Sequence, residues 1–244
     1  MNLEQYIICF FIYSFLGYLC EVVYCSFCQK RWVNRGYLYM PICPIYGFGA
    51  ILIIATMMPF YDRGMWYLVW ILGIVLTSSL EYLTSYVLEV LFHMRWWDYS
   101  KRKWNLNGRI CLLNSFLFGC LVMIVMYGIQ PYLFSGLSHV STWILRVVAA
   151  VIVFLTLVDT VFSTVRHLNI SKLILKFTTL MEETSDLLAE KKATAKAYLS
   201  NTHVAKKLRS FLYQYPELTL RIAKKKRMRF KEILAKYFSD RNDE

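Results

Sequence analysis

The chain has 244 residues, of which 57% are hydrophobic and 18% charged, yet its formal net charge is +12. Soluble domains average about 45–50% apolar and about 25% charged residues, so a chain this apolar and this basic must keep the two characters apart. The pattern excludes an ordinary soluble enzyme, a disulfide scaffold and a disordered protein.

The separation runs along the chain: residues 1–164 hold ten Lys and Arg, and residues 165–244 hold the other eighteen. A bilayer-crossing helix needs about 20 mainly apolar residues. Five stretches qualify, at about 5–27, 38–60, 66–92, 110–134 and 141–165. The expected fold is all-α: a polytopic membrane helix bundle over residues 1–165, followed by a basic cytoplasmic helical tail over 166–244. The first stretch has no Lys or Arg ahead of it, lacks a small-residue cleavage site and carries Glu21, which predicts a retained span instead of a cleaved leader.

Loop charges predict orientation. The loop after the first span holds Lys30, Arg31 and Arg35, and the loop after the third holds Arg95, Lys101, Arg102, Lys103 and Arg109. The loop after the second holds only Arg63, beside Asp62, and residues 134–141 hold no basic residue. Cytoplasmic loops collect Lys and Arg, so the two basic loops and the tail are expected inside the cell and the amino terminus outside, in a multi-pass protein of the cell membrane.

The second span opens with Pro41 and Pro44, followed by Gly47 and Gly49. Proline removes a backbone donor and breaks a helix interior. Two readings fit: an entry loop with the helix starting at Pro44 and the glycines packing close to a neighbour, or an irregular segment lining a pocket.

Ionisable groups within spans are costly and face the bundle interior. Glu21, Glu81, Glu89 and Asp159 are such groups. Glu81 and Glu89 lie about 12 Å apart along one helix and share a broad face. The basic loops next to these acids supply Asn34 and Arg35, then Arg95, Asp98, Asn105, Asn107 and Arg109. Guanidinium forks near a helix start suit an anion. Glu21, Asn34, Arg35, Glu81, Glu89, Arg95, Asp98, Asn105, Asn107 and Arg109 are therefore the candidate ligand-binding residues, at the inner mouth of the bundle. A purely structural account stands beside this one. The cations then obey the positive-inside rule, Trp96, Trp97 and Trp104 form an interfacial belt, and Glu21 and Glu89 form ion pairs.

Several motifs occur in order: Tyr13-Ser14 through Gly17 to Glu21, Asn34-Arg35-Gly36, Pro41-Ile-Cys43-Pro44-Ile-Tyr46-Gly47, Leu80-Glu81-Tyr82 through Glu89, Trp96-Trp97-Asp98-Tyr99-Ser100 and Asn107-Gly108-Arg109-Ile-Cys111. On these the chain resembles the type IV, CmpB-like family of ABC-transporter permeases, bacterial integral membrane proteins. The resemblance covers about residues 5–130 and implies a membrane-embedded transport subunit. The sequence has no Gly-x-x-x-x-Gly-Lys-[Ser/Thr] phosphate loop, so a separate ATPase subunit would have to hydrolyse the ATP. Five spans are few for a solute pathway, which points to self-association or a partner.

Other chemistry finds little footing. Cys25-Ser-Phe-Cys28 has a metal or redox gap, but no second pair follows. No cofactor and no metal are expected. No nucleotide-binding or hydrolase motif appears, although paired carboxylates leave an enzyme acting on lipid headgroups open as an alternative. A non-catalytic scaffold or sensor is another. In the tail, apolar residues from Leu173 recur at gaps of four and three, predicting a long helix. Pro216 ends it, and a second helix is expected over about 217–238. Lys224, Lys225, Lys226, Arg227 and Arg229 in that segment are read as binding anionic lipid headgroups. No nucleic-acid-reading module accompanies the charge.

Overall fold

The structure, a computed structural model, describes residues 1–33, 36–184, 210–211, 214–215, 219–222 and 226–229. Among the described residues, five helical stretches are long and apolar enough to cross a membrane: Leu3–Phe27, Pro44–Asp62, Trp66–Phe92, Leu112–Ser138 and Thr142–Lys176. The first lies in helix α1 (Leu3–Gln29), followed by α2 (Pro44–Asp62) and α3 (Trp66–Phe92). The short strands β1 (Met94–Arg95), β2 (Asn105–Leu106) and β3 (Ile110–Cys111) come next. The fourth span is α4 (Leu112–Met123), a π-helical stretch Ile124–Ile129 and α5 (Gln130–Ser138). Helix α6 runs Thr142–Thr184, and strands β4 (Thr219–Ile222) and β5 (Lys226–Arg229) complete the described chain.

Two differences from the sequence reading stand out. The second span starts at Pro44, not near residue 38. Pro44 occupies the first turn, where a missing N–H costs nothing, while residues 36–43 are non-helical. The entry-loop reading is therefore the observed one. Within the expected second tail helix, residues 219–222 and 226–229 instead form an antiparallel hairpin that pairs with β1, Met94 opposite Leu220. Residues 217–218, 223–225 and 230–238 of that expectation lie outside the described residues.

Contacts divide the chain into two compact units, Met1–Thr84 with Tyr99–Ser163, and Ser85–Asp98 with the chain from Thr164 onward. In the first unit, α1 and α2 approach closely because Gly17 and Gly47 lack side chains. A Cβ on Gly17 would collide with the Cβ and ring of Tyr46, and one on Gly47 with Ser14 Oγ and the Phe10 carbonyl. In lipid, where burying apolar surface gives helices no advantage, such small-residue contacts bring backbones together. Around this seam Cys9, Tyr13, Ile53, Ile54, Val69 and Met126 form part of the core. Ser78 donates to Ser115 at 2.8 Å between α3 and α4. The π-helical stretch precedes Pro131, which has no N–H to offer Tyr127 and whose ring would clash with that carbonyl in a regular α-helix. An extra residue per turn relieves the conflict, and the Gln130 amide reaches the Val125 carbonyl instead.

In the second unit, Trp96 is buried in an aromatic cluster. Its ring centroid lies 4.5 Å from that of Tyr215, 4.9 Å from His167 and 5.8 Å from Phe92 and from Phe211, in edge-on arrangements. Such geometry suits the ring quadrupoles. Trp96 is thus a core residue, while Trp104 is exposed as an interfacial residue would be. Ser171 donates to the Phe92 carbonyl at 2.5 Å.

Candidate functional site

Polar side chains from four elements of the first unit meet near the start of α2. Glu21 lies on the last third of α1, and Tyr46 sits on the first turn of α2, where Gly17 makes room for its ring. Tyr46 donates its hydroxyl to Glu21 Oε1 at 2.9 Å, and the Cys25 thiol lies 3.6 Å from Glu21 Oε2. Glu81 lies about 22 Å along α3 from its first residue and is only 5% exposed. Tyr99 donates to Glu81 Oε1 at 3.2 Å and accepts a bond from Asn114 Nδ2 at 2.6 Å. The carboxyl groups of Glu21 and Glu81 are within electrostatic reach of each other, as are the hydroxyls of Tyr46 and Tyr99. Glu81 Oε2 is buried and has no hydrogen-bond partner among the described residues.

The segment from Tyr99 to Cys111 holds one edge of this cluster. Asn107 and Gly108 both have positive φ, 54° and 68°, and the Arg109 amide donates to the Leu106 carbonyl at 3.0 Å. This is a tight turn at the tip of the β2–β3 hairpin, with left-handed backbone at both central positions, which Asn-Gly supplies. Asn105 organises the loop: its Oδ1 accepts from the Gly108 amide at 3.0 Å, and its Nδ2 donates to the Arg102 carbonyl at 2.7 Å. The Tyr99 amide donates to the Gly108 carbonyl at 2.8 Å, so the hairpin positions Tyr99 directly. Beside Glu81, Tyr82 receives a bond from Asn107 Nδ2 at 3.0 Å, and the buried Arg109 guanidinium sits 5.5 Å from its ring centre. The hairpin thus docks onto α3 by an amide bond and a cation–π contact.

Asp159, on α6, fastens the non-helical approach to α2. Its Oδ1 and Oδ2 accept the backbone N–H groups of Tyr39 and Met40 at 3.1 and 2.7 Å, and Ser163 adds a bond at 2.9 Å. Irregular backbone has unpaired donors, and a buried carboxylate takes two of them. On the same helix Arg146 pairs with Glu4 at 3.1 Å.

The second unit holds its own polar contact. Arg95 Nε lies 2.7 Å from Glu89 Oε2, with side chains 4% and 17% exposed. Two residues expected at a ligand site therefore bond to each other. Asp98, in the same unit, is half-buried. His93 terminates α3 in left-handed conformation, φ 55°, its amide donating to the Glu89 carbonyl at 2.9 Å.

Of the residues expected from sequence, Glu21 and Glu81 come together in the first unit, with Asn105, Asn107 and Arg109 in the adjoining hairpin. Glu89, Arg95 and Asp98 belong to the second unit. Asn34, Arg35, Lys224 and Lys225 lie outside the described residues, while Lys226, Arg227 and Arg229 lie on β5. Sequence reasoning missed Tyr46, Tyr99, Asn114 and the anchoring role of Asp159. Asn114, an amide at the start of an apolar run, was the available signal.

The chain matches the protein family described as "Putative ABC-transporter type IV" over residues 8–164, a segment that includes Glu21, Tyr46, Glu81, Tyr99 and Asn114. No curated protein and no solved structure matches it.

Proposed function

Because the chain belongs to this ABC-transporter type IV family, a membership that its five apolar helices fit as a multi-pass membrane protein, we propose that it is the permease-like subunit of an ABC-type transporter. Its ligand site is the cluster around Glu81. One observation carries the reading: Glu81 is buried, accepts a single bond from Tyr99, and leaves its second oxygen unfilled. A buried, unsatisfied polar group costs about 1–3 kcal/mol, and more when charged. Native proteins satisfy nearly all of their buried polar groups, so one left open marks a place for a water, an ion or a ligand group.

The division of labour follows from the chain. Tyr46 and Tyr99 hold the two carboxyls in place, Asn114 fixes Tyr99, and Asp159 secures the backbone leading into α2. ATP hydrolysis belongs to a separate subunit. The basic loops and tail lie in the cytoplasm, where Lys224, Lys225, Lys226, Arg227 and Arg229 meet anionic lipid, and the amino terminus lies outside. Affinity purification of the tagged full-length protein from its native membranes tests the reading. An ATPase subunit should co-purify, and ATP hydrolysis should be coupled to solute movement after reconstitution. Recovery of the protein with no nucleotide-hydrolysing partner argues against it.

A further inference from the structure

The segment leading into α4 carries a patch that the Glu81 cluster does not use. Lys101, Arg102 and Lys103 follow one another on an exposed turn. Among the described residues none of their side chains forms an ion pair or a hydrogen bond. No acidic residue occurs from Tyr99 to Val158, and Asp98, just ahead, belongs to the second unit. Arg109, the remaining cation of the segment, is buried against the Tyr82 ring and takes no part. Three neighbouring cations repel one another unless a counter-charge sits among them.

Beside the turn runs an open groove of about 350 Å3, lined by Trp104, Asn105, Leu106, Ile110, Leu112 and Ser115, a size at the lower end of ligand pockets. Trp104, Leu106 and Leu112 are themselves exposed. Backbone bonds tie groove and cations into one structure. Asn105, in the groove wall, donates from Nδ2 to the Arg102 carbonyl at 2.7 Å, and the Leu112 amide donates to the Trp104 carbonyl at 3.0 Å. Trp104 turns the chain between them in left-handed backbone, φ 54°. Leu112 opens the fourth membrane-length stretch, so the groove begins where apolar span begins and the cations stand just ahead of it. An apolar channel under a cationic cap matches a molecule with an acyl chain below a negative headgroup. A soluble anion would leave the apolar wall uncovered, and a neutral lipid would leave the cations unanswered.

We propose that this groove binds an anionic phospholipid, one acyl chain lying against Trp104, Leu106 and Leu112 and the headgroup phosphate meeting Lys101, Arg102 and Lys103. The site depends neither on the Glu81 cluster nor on the transporter reading.

The test uses full-length protein in phosphatidylcholine nanodiscs carrying a minor fraction of phosphatidylglycerol with a photoactivatable group in its acyl chain. Adducts should fall within residues 104–115. Replacing part of the phosphatidylcholine by unlabelled phosphatidylglycerol should compete them away, whereas replacing it by phosphatidylethanolamine should not. Each cation near an anionic lipid strengthens binding about fivefold. Lys101→Gln, Arg102→Gln and Lys103→Gln combined should therefore raise the lipid fraction for half-maximal labelling at least about tenfold, while Lys101→Arg with Lys103→Arg leaves it unchanged. Leu106→Gln keeps every charge and should also weaken labelling; simple attraction to a basic surface predicts no change. Absence of adducts from 104–115, equal competition by phosphatidylethanolamine, or undiminished labelling in the triple variant or in Leu106→Gln overturns the proposal. A co-purified protein shielding the segment in place of lipid gives the surface to a protein partner and overturns it as well.

Discussion

Replacing Glu81 by Gln separates a carboxylate kept for function from one kept for structure. In the native protein Oε1 accepts from Tyr99 at 3.2 Å, while Oε2 is buried without a partner. Gln preserves the volume and the acceptor for Tyr99, and exchanges a buried unsatisfied acid for a neutral amide. An unfilled neutral group costs about 1–3 kcal/mol and a charged one more, so the exchange removes the difference and loses no observed hydrogen bond. The variant should be as stable as the native protein or more so, by up to about 3 kcal/mol, while losing ligand binding. Thermal unfolding in nanodiscs, followed by intrinsic fluorescence, reads the stability arm. A loss of 1 kcal/mol or more, a size usual for a broken native interaction, would refute the reasoning, because the carboxylate would then be supporting the fold.

Other substitutions probe the frame around the site. Gly17→Ala drives a methyl into Tyr46 and should destabilise by about 1–3 kcal/mol; Gly136→Ala, whose Cβ would meet nothing within 4 Å, should be neutral or stabilising by about 0.5–1 kcal/mol. Equal melting shifts for the two would remove the close-approach argument. Asp159→Ala strands the Tyr39 and Met40 amides, at about 1–3 kcal/mol each, and their hydrogen exchange should speed up; unchanged protection would show that another group anchors the segment. Arg95→Ala removes the guanidinium 2.7 Å from Glu89 and should cost about 3–5 kcal/mol, whereas Arg95→Met combined with Glu89→Leu should cost less. Chemical denaturation of both variants checks this, and equal losses would mean that the pair does more than satisfy itself.

Much of the architecture was legible in the chain because hydropathy, proline and turn chemistry act locally. The five apolar stretches became five membrane-length helices. Pro44 marked the start of α2 as one of two readings, and Asn107-Gly108 carried a hairpin signal that an all-helical expectation passed over. The polar residues were harder. Sequence marked Glu21, Glu81, Glu89 and Asp159 as costly within spans but could not say which had been satisfied. Their partners come from elsewhere in the chain: Tyr46 is 25 residues from Glu21, Tyr99 is 18 from Glu81, and Tyr39 is 120 from Asp159. Glu89 finds Arg95 only six residues on, where the chain leaves α3 for β1, whereas only the packing of distant elements decided that Asp159 holds backbone and that Glu81 keeps an oxygen open. A residue's burial follows from its neighbours along the helix, whereas the filling of its last hydrogen bond depends on where another helix happens to lie.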